Sequence, residues 1–97
     1  MGVMSFLPEL KRFLLEHGEI YTVRRYRMAE ACVEIDGVGK CRRVPLGKVS
    51  DMSQLEQFVA ASGFDTVEAW WTKILSFIPE YVSQEKVAKY LYHVVRM

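Results

Sequence analysis

At Gly18 the chain changes period. Before it, Phe6, Leu7, Leu10, Phe13 and Leu14 recur on one face of a helix, leaving Glu9, Lys11, Arg12 and Glu16 outward. After it, from Ile20 to Val49, the period is two. Tyr21, Val23, Arg25 and Arg27 share one face of a strand, and Ile20, Thr22, Arg24 and Tyr26 share the other. An amphipathic helix followed by a long ribbon pattern restricts the fold to the α+β class.

The punctuation supports that division. Ser5 is the expected N-cap of the first helix, Pro8 falls in its first turn and Gly18 closes it. Ala29 to Ile35 alternates as a second strand, and Asp36-Gly37-Val38-Gly39 is a turn signal. A three-residue Gly37–Gly39 loop with a bulge at Gly39 would set Glu34 opposite Arg42. Lys40 to Val49 follows as a third strand, with Pro45 at an edge or bulge, and the three strands predict an antiparallel meander.

Ser50 or Asp51 caps a helix running to about Ser62, with Leu55, Phe58 and Val59 inward and Gly63 as its stop. Asp65-Thr66-Val67-Glu68 opens another helix, which carries Trp70, Trp71, Ile74, Leu75 and Phe77 and ends at Pro79. Residues 88–95 read as a final aromatic-rich strand. Such a strand should return to an early one, closing a small barrel or a strongly curved antiparallel sheet with flanking helices.

Ninety-seven residues form one domain, residues 1–97, with a single core. No apolar run approaches the roughly 18 residues of a membrane span, so no membrane partner is expected. The N-terminus has no secretory pattern, and its serine falls one place early for myristoylation, which predicts a cytoplasmic protein. Cys32, Cys41, His17 and His93 lack the short spacings of structural zinc sites. Both cysteines are expected to be buried, reduced thiols, with no metal and no cofactor. Asparagine is absent, as the cytosol of a thermophile would favour.

The net charge of +1 conceals a split. Between Tyr21 and Lys48, seven basic residues face three acidic ones, a local charge of +4. Residues 49–85 carry −5. A basic sheet and acidic helices predict an electrostatic partner, either a phosphate backbone or a second copy of the chain. The seven are Arg24, Arg25, Arg27, Lys40, Arg42, Arg43 and Lys48. An arginine's planar fork pairs phosphate bidentately, and Tyr21, Tyr26 and an exposed Trp70 would offer stacking surface for unpaired bases. A period of two allows only one of Arg24 and Arg25 to face a given ligand.

Signatures of chemistry are sparse. The chain has no glycine-rich phosphate loop, no nucleophile beside a histidine and no H-E-x-x-H. Thr22, Glu19 and His93 are the candidates for acid–base or hydrolytic work.

The order of elements, with Tyr21-Thr22-Val23-Arg24 after Gly18, Gly63-Phe64 before Val67-Glu68-Ala69-Trp70-Trp71, and a closing Tyr90-Leu91-Tyr92-His93-Val94, resembles the ASCH domain of the PUA-like superfamily. The resemblance spans nearly the whole chain. It implies a small β-barrel with flanking helices and an RNA-binding cleft between them. Some members of that family hydrolyse acylated cytidine. The family motif is a glycine followed within eight residues by a lysine, a threonine or glutamate, and an arginine. Gly18 matches, and Arg25 takes the arginine place in the ungapped register, but Ile20 stands at the lysine and Val23 at the acid. With one residue deleted, Thr22 and Arg24 match and the lysine is still missing. Family resemblance thus implies a non-catalytic RNA- or nucleotide-binding domain. A hydrolase of modified nucleosides and a self-associating adaptor are the alternatives.

Overall fold

The computed structural model of the chain describes residues 2–84 and 86–97. Its elements, in chain order, are β1 (Gly2–Met4), α1 (Pro8–His17), β2 (Glu19–Arg24), β3 (Ala31–Ile35), β4 (Gly39–Val49), a 3₁₀ helix (Met52–Ala61), α2 (Val67–Ser76) and β5 (Lys89–Arg96). The architecture is α+β. The strands form a mixed sheet in the order β1-β3-β4-β5-β2. β1 is parallel to β3 and the other neighbours are antiparallel.

β5 pairs with β2 from Glu19↔Val95 to Arg24↔Tyr90 and with β4 on its other side, as expected for a returning last strand. The sheet is open rather than closed into a barrel, with β1 and β2 as its edges. Nor do β2, β3 and β4 form a meander, because β5 lies between β4 and β2. β2 ends at Arg24, and residues 25–30 form bends and irregular backbone instead of a tight hairpin. A connection of that length lets β3 cross the sheet and leaves room for β5.

The β3–β4 register differs from expectation by two residues. Glu34 pairs with Lys40, and Arg42 faces Cys32. The turn is closed one residue earlier, by Val38 N–H donating to the Ile35 carbonyl. Arg42 instead forms an ion pair with Glu30 at 2.8 Å. β1 carries no sequence signal of its own, since three residues are too few to show a period.

The first helix starts later than Ser5. Leu7 is the N-cap, Pro8 occupies the first helical position, and the Leu7 carbonyl accepts from the Leu10 and Lys11 amides. The 3₁₀ helix carries a complete capping box, with Asp51 accepting from Ser53 N–H and Gln54 reaching back to the Asp51 amide. Thr66 caps α2 by accepting from Ala69 N–H at 3.0 Å.

Two apolar clusters pack on opposite faces of the sheet. Ile20, Val33, Ile35, Cys41 and Val94 meet Leu14 of α1, Met4 and Phe6 on one face. Val49 and Leu91 meet Leu55, Val67, Trp70 and Ile74 on the other. Cys41 and Val49 lie on one strand eight residues apart, a spacing that would keep them on one face of a regular strand. The β-bulge between Pro45 and Gly47 adds a residue, inverts the alternation and delivers Val49 to the second cluster. Cys41 is fully buried; Cys32 is only partly so, with its Sγ near the Met97 sulfur and the Arg42 guanidinium.

Gly63 joins the 3₁₀ helix to α2 at φ 87°, and a Cβ there would stand 2.6 Å from Leu10 Cδ2. The joint and α1 approach so closely only because position 63 has no side chain.

Candidate nucleic-acid interface

A cleft of about 490 Å³ opens beside the end of β2, between the start of α1 and α2. Its walls are largely apolar, formed by Phe6, Leu7 and Leu10 on one side and Phe64, Trp70, Ile74 and Phe77 on the other. Thr22, Val23, Arg24 and Arg25 all line it. That is possible because β2 is an edge strand, so side chains from both its faces reach around the open edge. Arg24 and Arg25 therefore share the cleft, contrary to the strict alternation expected. The strand stops at Arg24, and Arg25 already belongs to the bend.

Four cations border this space, Arg24, Arg25, Lys73 and Lys89, and no carboxylate is among the described lining residues. Each cation rests on an aromatic ring. Arg24 lies 4.6 Å from the Phe6 centroid, Arg25 5.5 Å from Tyr26, Lys73 5.6 Å from Phe77 and Lys89 5.5 Å from Trp71. At these distances the ring quadrupole attracts a cation without neutralising it.

Arg24 is the most constrained. Its Nη2 donates to the Ser5 carbonyl at 2.8 Å and its Nε to Thr22 Oγ1 at 3.2 Å. Burial, and then the nearby positive charge of Arg43, lower the Arg24 pKa from its ordinary value. A guanidinium held among apolar groups and near another cation has unfavourable electrostatics that an anion would relieve. Lys89, also buried, donates to the carbonyls of Gln84 and Val87 at 3.0 and 3.1 Å.

Aromatic surface is available at the rim. Tyr26 is 68% and Phe77 56% exposed, and both line the cleft. Trp70 also lines it but is only 3% exposed, belongs to the second apolar cluster and lies near-parallel to Phe64 at 6.5 Å. It is a wall of the cleft and not the exposed platform expected. Ser62 sets the position of Phe64, its Oγ donating to the Val59 carbonyl and accepting from Phe64 N–H.

The other residues singled out from sequence lie elsewhere. Tyr21 faces away from the cleft, stacked on His93 at 4.4 Å and packed against Phe58. Arg42 is paired with Glu30. Arg43 donates to the Ala29 carbonyl through Nε and Nη2 at 3.1 and 3.0 Å, which fixes the bend instead of facing the cleft. Arg27 borders a second cavity. Glu19 and His93 do meet, Oε1 to Nε2 at 2.7 Å. They share a sheet face with Tyr21, opposite to Thr22, so the three hydrolytic candidates do not converge.

Sequence reasoning missed Phe64, Lys73, Phe77 and Lys89. Lys73 and Phe77 stand four residues apart on the last turn of α2, a helical-neighbour spacing that was available. Lys89 gave no such signal. No protein-family model, curated protein or solved structure matches the chain.

Proposed function

We propose that the cleft binds RNA or a nucleotide, without catalysis. One observation carries this reading: four cations surround an aromatic-walled cleft, held by rings and carbonyls, with no carboxylate among the described lining residues. An anionic ligand with flat apolar parts complements that surface, and a phosphate joined to a base has this chemistry. Arg24 supplies a fixed donor, Arg25 and Lys73 supply further positive charge beside Tyr26 and Phe77, and those two rings supply stacking faces. The resemblance to the ASCH domain implies a ligand cleft bordered by helices, which is in keeping with this reading, and the separation of Thr22 from Glu19 and His93 argues against hydrolysis.

The test is fluorescence anisotropy with a labelled single-stranded RNA at several salt concentrations. Log affinity should fall linearly with log salt, by roughly 0.7 per phosphate neutralised. The Arg25→Ala/Lys73→Ala double variant should weaken binding by about 1–3 kcal/mol. Lys11→Ala, at a side chain that lies 3.8 Å from Asp36 and does not line the cleft, should change it little. Equal losses at both positions would reduce the reading to diffuse charge. A concentration-dependent dimer that dissociates in salt, with no RNA binding, would replace it by self-association.

A further inference from the structure

The second cavity, about 870 Å³, lies on the other side of the bend at residues 25–29. Met28 lines both spaces, so that bend is the ridge between them. It is held from below. Tyr92 Oη donates to the Tyr26 carbonyl at 2.7 Å and accepts from Met28 N–H at 2.6 Å, while Arg43 grips the Ala29 carbonyl. Arg25 and Tyr26 border the first space and Arg27 the second.

Beneath the ridge the sheet links the two spaces directly. Arg24, Tyr90 and Lys48 are cross-strand partners on β2, β5 and β4, forming one row of cation, aromatic and cation on a single face. Two strand spacings, about 10 Å, separate the ends of the row. That is the rise of about three stacked nucleotides. Arg27 and Lys48 are exposed and form no ion pair or side-chain hydrogen bond among the described residues. The described lining of the second cavity contains no carboxylate.

We infer that a bound RNA strand continues past the 25–29 ridge into this second cavity, where Arg27 and Lys48 hold its phosphates and Tyr90 stacks a base. The ligand is then a single-stranded polynucleotide and not a mononucleotide. This inference rests on the cleft reading above and adds a subsite to it.

The experiment compares a labelled mixed-sequence RNA hexamer on wild type and three double variants. These are Arg27→Ala/Lys48→Ala, Arg25→Ala/Lys73→Ala, and Lys11→Ala/Lys40→Ala as a control that lines neither space. All substituted side chains lie outside the apolar clusters, and thermal melts verify folding. The subsite predicts that Arg27→Ala/Lys48→Ala loses about tenfold or more in hexamer affinity, with a salt slope shallower by roughly 1.4 for two phosphates. The control pair should stay within about threefold of wild type. Hexamer affinity unchanged in Arg27→Ala/Lys48→Ala but reduced in Arg25→Ala/Lys73→Ala overturns the subsite and leaves the cleft. Equal loss in the control overturns the subsite as diffuse charge. A wild type that does not bind the hexamer overturns both.

Discussion

Tyr92 shows how much one side chain can organise. It is among the largest fully buried residues, and its hydroxyl satisfies one acceptor and one donor of the 26–28 backbone. Without that hydroxyl two partly buried backbone groups lose their partner, which costs about 1–3 kcal/mol for the two hydrogen bonds together. Tyr92→Phe should therefore lower the unfolding free energy by that amount, read as a lower urea midpoint with an unchanged slope. RNA binding should weaken too, because Arg25, Tyr26 and Arg27 lose their fixed positions. Neighbouring basic residues take opposite roles under the same logic. Arg43 is consumed by the Ala29 carbonyl and Arg42 by Glu30, whereas Arg25 and Arg27 keep their charge for solvent or ligand.

Among the elements, the joint between the 3₁₀ helix and α2 decides the width of the cleft. Ser62 orients Phe64, and Gly63 allows Leu10 to pack against the joint. Gly63→Ala places a Cβ where φ is 87° and Leu10 already stands, combining left-handed strain with overpacking. The expected cost is about 2–4 kcal/mol, read by chemical denaturation. Gly37→Ala, at a similar φ but with open space around it, should cost only the conformational part, about 1–2 kcal/mol. A difference near zero between the two would show that α1 and the joint separate easily. β4 makes a related point: its bulge sends Cys41 and Val49, which an unbroken strand would keep on one face, into different cores.

The whole molecule is a sheet with one apolar cluster on each face, and a radius of gyration of 12.9 Å. About 12.5 Å is expected for a folded chain of this length, so the two clusters belong to one compact body. Because they share the strands, they should unfold together. Leu14→Ala in the first cluster and Leu55→Ala in the second should each destabilise by about 2–5 kcal/mol. Fluorescence from the tryptophans and far-UV circular dichroism should give coincident transitions in both variants. Separate transitions would divide the sheet into independent halves.

What the sequence determined by itself was whatever depends on local spacing. The helical face of α1, the capping residue Asp51, and the stops at Gly18 and Gly63 all follow from residues within a turn or a strand of one another. The concentration of arginine at the end of β2 was equally legible, and with it Thr22, Arg24, Arg25 and Tyr26 of the cleft. The tertiary structure alone decided strand order, because pairing between distant segments depends on which faces are left to cover, and that is not encoded in any single segment. It decided that β5 lies between β4 and β2, and so that β2 has a free edge around which both its faces serve one cleft. Lys73, Phe77 and Lys89 joined Arg24 there, from segments 49 to 65 residues away in sequence. A period of two fixes the face on which a side chain points; only the packed chain fixes what that face meets.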